Sequence, residues 1–222
     1  MISERLGERI GALGGLLFAF SLFFFNGAIL GESSSEDSGK VLHDSLADFS
    51  AIGTSVMVST LGVFGVLLFG ATLRAVLART ELAPGRLSNL VLPAIAGGAA
   101  VGAVGPTIVQ AVALRIDKAS SGNDIAALAH AVTVTGFFYS GIFFGVAALA
   151  VGAVTLRGGL LPNWFGWFSI LCAALMVFGS ATSAISVPLG FLSGIPEMLY
   201  FVVAAIVLFI RSGASVEVAT AD

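Results

Sequence analysis

The sequence predicts an all-α fold, a polytopic membrane helix bundle with about six transmembrane helices. Of its 222 residues, 57% are hydrophobic and 10% are charged, and the mean hydropathy is +1.03. An average soluble domain carries roughly 25% charged residues, so this chain has too few charges to cover a surface in water. Continuous apolar runs of about 20 residues, without strict alternation, favour membrane-spanning helices over a β-barrel.

The first half of the chain contains three predicted spans, at about residues 10–30, 52–76 and 87–114. An acidic loop, residues 31–50, separates the first two and carries five carboxylates against a single lysine. A connection with Pro84 and Gly85 leads to the third span. That span contains Pro93 and Pro106, which predict a kinked helix.

The second half contains three more predicted spans, at about residues 125–156, 168–186 and 195–210. Trp164 and Trp167 are assigned to an interfacial turn after the fourth span, because tryptophan prefers the headgroup level. A turn with Pro188 and Gly190 is predicted between the fifth and sixth spans. All 222 residues therefore form one predicted membrane domain.

The distribution of basic residues predicts the orientation of the spans. Cytoplasmic segments of membrane proteins are enriched in lysine and arginine. With the amino terminus inside, inner segments hold seven of these residues and outer segments hold three: Arg5, Arg9, Arg74, Arg79, Arg86, Arg157 and Arg211 against Lys40, Arg115 and Lys118. Both termini are thus predicted to be cytoplasmic and the acidic loop extracytoplasmic. The preference for arginine, with abundant alanine, glycine and valine, indicates the cytoplasmic membrane of a bacterium.

A weak internal repeat, at an offset of about 82 residues, relates the second and fourth spans. Leu46-Ala47-Asp48 and Leu128-Ala129-His130 open these spans, and similar phrases, 70–74 and 152–157, close them. The repeat predicts three hairpins of like orientation, as in transporters built from parallel repeats. Chance similarity between two sequences rich in alanine and glycine is the alternative.

Ridges of glycine predict close helix packing. They comprise Gly7, Gly11 and Gly15 in the first span, Gly98 and Gly102 in the third, and Gly141 and Gly145 in the fourth. Packing within one bundle is favoured, while a homo-oligomer or a partner membrane protein held through these ridges stays open.

The membrane interior is predicted to hold no charged residue. The candidate ligand-binding residues are therefore those at the outer ends of the even-numbered spans. They are Asp44, Asp48, His130, Glu197 and Tyr200. If the hairpins share an axis, Asp48, His130 and Glu197 arrive at similar depth, where they could bind a divalent metal or exchange a proton. Each also has a simpler explanation: a solvated helix face, an interface histidine, and a first-turn acid after Pro196.

No motif specifies a reaction, so no catalytic residue and no cofactor are predicted. No basic cluster typical of nucleic-acid binding occurs. Three hypotheses remain for a chain embedded in a lipid bilayer. It binds or transports a small solute or a lipid from the outer side, it is an accessory subunit that packs against a partner, or, less favoured, it is a membrane enzyme.

About residues 136–180 resemble a family of uncharacterised bacterial multi-spanning membrane proteins. The phrases that carry the likeness are Gly136-Phe137-Phe138-Tyr139, Phe144-Gly145, and Leu156-Arg157-Gly158-Gly159-Leu160-Leu161-Pro162-Asn163-Trp164-Phe165-Gly166-Trp167. In that family a helix ends in a basic residue, and a leucine-proline turn leads to the next helix. The resemblance implies a bacterial protein of six to seven helices and supplies no functional residues.

Overall fold

The computed structural model describes residues 4–30, 49–79, 81, 85–113, 122–158, 161–183, 185 and 187–214. These residues form six α-helices and no strand, which confirms the predicted all-α fold. The helices are α1 (Glu4–Leu30), α2 (Phe49–Ala78), α3 (Ser88–Ala113), α4 (Gly122–Gly158), α5 (Asn163–Thr182) and α6 (Val187–Ala214).

Five of the six helices begin before their predicted spans, and the difference changes the interpretation of two of them, α5 and α6. Helix α5 begins at Asn163, so that Trp164 and Trp167 lie in its first turns and not in an interfacial turn. Helix α6 begins at Val187, eight residues before the predicted span at 195. Pro188 is the second residue of α6, where a helix tolerates proline because the first N–H groups have no partner in any case.

The six helices form a closed ring in chain order, since each packs against the next and α6 packs against α1. Neighbours run antiparallel: Gly11 of α1 faces Thr72 of α2, whereas Ser21, further along α1, faces Gly62. The ring therefore contains three hairpins of like orientation, α1–α2, α3–α4 and α5–α6. Helix α4 also contacts α6 across the ring.

All seven arginines among the described residues lie at the end of the bundle where α1 begins, here called the arginine-rich end. Contacts between helices show that they share this end. The Arg79 Nη1 donates to Glu8 Oε1 at 2.8 Å, and Arg74 donates to Asn89 Oδ1 at 2.8 and 3.1 Å. The Arg9 guanidinium lies 5.5 Å from the centre of the Phe209 ring. The half of the bundle away from this end is called the remote half.

A carboxylate caps α3 at the arginine-rich end. The backbone N–H groups of Leu87 and Ser88 donate to the two Glu81 oxygens at 2.9 and 3.0 Å. Gly85 adopts a φ of 51° in the intervening turn, a conformation that glycine reaches without steric cost. Burial by itself would raise the pKa of Glu81, but these two hydrogen bonds act against it and hold the pKa below its usual value.

Aromatic side chains form the centre of the bundle. The Phe201 ring on α6 lies 4.8 Å from Phe18 of α1, 5.6 Å from Phe69 of α2 and 5.1 Å from Phe144 of α4, measured between centroids. All three pairs meet edge to face, an arrangement that aromatic rings prefer. Four helices thus meet at one residue, and this cluster separates the two halves of the bundle.

Every helix contains a stretch of 20 to 28 residues that is long and apolar enough to cross a membrane. Large apolar side chains also face outward on all six helices, for example Phe20, Phe64, Leu90, Leu149, Leu171 and Ile206. Soluble monomers rarely expose contiguous apolar surface of this extent. A lipid bilayer is the solvent that fits this surface.

Candidate functional site

A partly open cavity of about 160 Å³ lies in the remote half. Five helices line it: α1, α2, α3, α4 and, through Glu197 alone, α6. Phe18 and Phe144 from the aromatic cluster border it on the side toward the arginine-rich end. We call this space the remote cavity.

Small residues on α3 create the space. Gly98, Ala99, Gly102 and Ala103 line the cavity at helical spacing, so that no large side chain fills it from this helix. A methyl group added at Gly102 would meet nothing closer than the Ser140 Cβ at 3.8 Å. The glycine ridge of α3 therefore serves two purposes, because Gly98 packs against Phe144 whereas Gly102 faces the cavity.

Glu197 is fully buried at the wall of the cavity. It is the eleventh residue of α6 and lies eight residues, or about 12 Å, inside the candidate span that begins at Leu189. Ser140 is close to its carboxyl group, yet neither carboxyl oxygen has a hydrogen-bond partner among the described residues. The expectation of a charge-free interior is wrong at this residue. So is its interpretation as a first-turn acid at the outer rim.

The hydroxyl groups that line the cavity present acceptors to it. Each donates its hydrogen to a carbonyl of its own helix: Ser21 to Phe18, Ser59 to Ser55, Thr60 to Val56, Thr107 to Ala103, Thr133 to Ala129 and Ser140 to Phe137, at 2.6–2.9 Å. A hydroxyl that has donated its hydrogen keeps lone pairs that can only accept. The Gly102 carbonyl lacks its usual helical donor, because Pro106 has no N–H, and both residues line the cavity.

The cavity opens between α2 and α3. Its exposed lining residues are Thr60, Thr107 and Gln110, which belong to these two helices. The helices touch closer to the arginine-rich end, where Gly70 lies against Ile95. Gln110 is three residues from the end of α3, so the mouth lies toward the remote end of the bundle.

Tyr200, predicted to accompany Glu197, does not line the cavity. Its buried ring stacks on Phe165 of α5, with centroids 6.3 Å apart and planes 13° from parallel. Its hydroxyl group has no hydrogen-bond partner among the described residues, although Ser169 is close to it. The tyrosine therefore belongs to the core between α5 and α6.

The other candidates stay untested. Asp44 and Asp48 lie outside the described residues, and of His130 only the backbone, within α4, is described. Their convergence with Glu197 therefore stays a prediction. Within the described part of the chain, no group of three or more His, Cys, Asp or Glu side chains could hold a metal ion.

Among the residues that line the cavity, the sequence analysis singled out Glu197 as a candidate ligand-binding residue, and Gly98, Gly102 and Pro106 for helix packing or a kink. Ser59, Gln110, Thr133 and Ser140 are polar residues within predicted spans, where each could equally bond to its own helix or to a neighbouring one. Ser21, Thr60 and Thr107 were missed. The available signal was the helical spacing of Thr133 and Ser140, which shows a shared face but not what that face meets.

The fold and the site together define a multi-pass α-helical membrane protein with a polar cavity inside one half of its bundle. No known protein family, no curated protein and no solved structure matches this chain.

Proposed function

We propose that this protein binds a small solute in the remote cavity and carries it across a bacterial cytoplasmic membrane. The observation that carries the proposal is the unpartnered Glu197 carboxyl group in the wall of an open cavity. Ionisable residues within membranes are expensive and usually line substrate or ion pathways. A bundle with a purely structural role would gain stability from an apolar side chain at this position.

The size of the cavity favours a small solute over a lipid. An engineered protein cavity of about 150 Å³ holds one benzene molecule. The remote cavity, at about 160 Å³, therefore fits one ring-sized molecule. A lipid would have to leave both of its chains outside.

The arginines support an orientation for the proposed transport. Basic residues concentrate in cytoplasmic segments, and the arginine-rich end would accordingly face the cytoplasm. Both chain termini would then lie inside, and the mouth of the cavity would receive solute from outside. Membership in the uncharacterised bacterial family that residues 136–180 resemble agrees with such a membrane and is part of this proposal.

An accessory subunit that packs against a partner is the alternative. It depended on the glycine ridges, and most of those glycines contact other helices of the same chain. Gly15 faces Phe69, Gly98 faces Phe144, and Gly145 faces Val177. These contacts leave fewer glycines to meet a partner, and we favour solute binding.

Thermal unfolding of the purified protein in lipid nanodiscs, with a panel of ring-sized cations, anions and neutral solutes, tests the proposal. A ligand that binds the folded state raises the Tm in a saturable manner. We expect at least one such solute. We also expect Gly102→Leu, which fills the cavity, to abolish the effect.

Gly7→Leu is the matched control, because a side chain added at Gly7 also meets open space, but at the arginine-rich end of α1. It should keep the ligand-induced shift. A panel without any effect on the wild-type protein, or equal shifts in wild type and Gly102→Leu, would overturn the proposal. Proteoliposome uptake of the bound solute then tests transport.

A further inference from the structure

We propose that the solute is a small organic monocation, an ammonium group on an apolar body, and that it binds in exchange for a proton of Glu197. This inference rests on the proposed function and specifies its ligand. Three observations carry it: the hydrogen-bonding character of the lining, the isolation of the carboxyl group, and the apolar remainder of the wall.

The lining offers acceptors almost exclusively. Its serine and threonine hydroxyls have donated their hydrogens to helix carbonyls, as described above, and the Glu197 oxygens are unpartnered. In the described part of the lining, Gln110 is the one side chain with N–H donors, and it lies exposed at the mouth. A ligand that satisfies this interior must bring donors, and an ammonium group brings three and no acceptor.

Charge balance leads to the exchange. Among the described residues of the lining, Glu197 is the only charged or titratable side chain, and α1, α2, α3 and α4 contribute apolar residues, serine, threonine and glutamine. The other buried titratable groups of the described residues, Cys172 of α5 and Tyr200 of α6, lie outside it. An isolated carboxylate costs several kcal/mol in an apolar interior. A proton cancels this charge in the empty cavity, and a cationic ligand cancels it in the occupied one.

The step conserves charge and atoms. The carboxylic acid of Glu197 loses its proton to water through the mouth, and the resulting carboxylate pairs with the entering ammonium group. No covalent bond forms apart from the proton transfer. The site gains one positive ion and loses another, so its net charge is the same before and after binding.

The rest of the wall fits an organic body better than a bare metal ion. Phe18 and Phe144 present aromatic rings, and Leu22, Val56 and Val63 add aliphatic surface. Aromatic faces attract ammonium groups as well as apolar ones. A divalent metal would need several carboxylate or imidazole ligands, and the lining residues that the structure describes include one carboxyl group and no imidazole.

Isothermal titration with benzylammonium and its neutral counterpart, benzyl alcohol, tests the inference. The two probes have nearly the same shape and differ in charge. We expect the wild-type protein to bind benzylammonium at least tenfold more tightly. Measurement in two buffers of different ionisation enthalpy should show the release of about one proton for each cation bound.

Two variants locate the effect. Glu197→Gln keeps the size and polarity of the side chain but cannot ionise, and it should lose the preference for benzylammonium together with the proton release. Glu8→Gln removes a carboxylate at the arginine-rich end, outside the cavity, and should leave the preference for benzylammonium and the proton release unchanged.

If Glu197→Gln does not fold, the pH dependence of binding to the wild-type protein tests the exchange instead. On the acid side of the Glu197 titration, affinity for benzylammonium should fall about tenfold for each pH unit, and affinity for benzyl alcohol should not.

Equal affinities for the two probes, or proton release that persists in Glu197→Gln, would overturn the cation exchange. So would the failure of both probes to bind. The proposed function survives these results if another solute of the panel binds in a manner sensitive to Gly102→Leu. It fails only if no solute does.

Discussion

The arginine-rich half and the remote half of the bundle treat polar groups in opposite ways. Toward the arginine-rich end, charged side chains lie near the surface and have partners: Arg79 pairs with Glu8, Arg74 with Asn89, and Glu81 caps α3. In the remote half, the one buried acid of the described residues, Glu197, has no hydrogen-bond partner and borders a cavity. One half is organised for stability, and the other retains an unsatisfied group beside empty space.

The difference shows where the protein departs from the most stable solution. Helices in a bilayer associate through close packing, because lipid supplies no hydrophobic drive between them. The aromatic cluster around Phe201 and the contact of Gly14 with Gly65 follow this rule. The remote cavity does not follow it, and features that reduce stability often mark functional sites.

Truncation of the aromatic centre should have the largest effect. We expect Phe201→Ala to lower the free energy of unfolding in micelles by about 3–5 kcal/mol, because its ring contacts rings of three other helices. Phe137→Ala is the matched change at the cavity wall. It should lower the free energy of unfolding by less than Phe201→Ala does, since part of the Phe137 surface already faces empty space. Equal losses would mean that the two halves are packed alike.

Removal of the buried acid should stabilise the protein. An unsatisfied buried polar group costs about 1–3 kcal/mol, so Glu197→Leu should raise the free energy of unfolding by a similar amount while solute binding is lost. Chemical unfolding and the benzylammonium titration of the same preparation measure both quantities. A destabilised Glu197→Leu protein would show that the carboxyl group has a structural partner after all.

The same glycine substitution should have opposite signs in the two halves. Gly14→Ala places a methyl group against the Gly65 carbonyl of α2, and overpacking of this kind costs about 1–3 kcal/mol. Gly102→Ala meets only the Ser140 Cβ, at an ordinary contact distance of 3.8 Å, and should stabilise by about 0.5–1 kcal/mol through helix propensity. Thermal unfolding of both variants beside the wild type provides the comparison. If both destabilise, the cavity is smaller than the structure shows.

The smallest effect concerns the α3 cap and its dependence on pH. The pKa of Glu81 lies below its usual value of 4.5 in the folded protein. Its contribution to stability is therefore fully present above that pH and is lost as the pH falls through the lowered pKa. Glu81→Gln should cost about 1 kcal/mol at neutral pH. The gap between the two proteins should close in acid, and a gap that persists there would exclude the ionised cap.

The sequence predicted the properties that depend on single segments of the chain, and it failed for those that depend on contacts between segments. The six helices and their alternating directions followed from apolar runs and short connections. The position of Glu197 inside the bundle did not follow from the sequence, because Pro196 before it is typical of a helix start. Proline also occurs within membrane helices, where neighbouring groups satisfy the freed backbone carbonyl, and the apolar residues before it allow α6 to begin at Val187. One misplaced helix start moved the acid from the interior to the rim.

By itself, the sequence predicts a helical membrane protein with six candidate spans and with seven of its eight arginines at one end. Those properties hold for each segment separately, since hydrocarbon requires every span to satisfy its own backbone hydrogen bonds. That Glu197 lines the same cavity as hydroxyl-bearing residues from four other helices follows from the tertiary structure alone. A cavity is space that five helices leave unfilled together, and it depends on the rotation and depth of each helix relative to the others. No single segment of sequence contains that information.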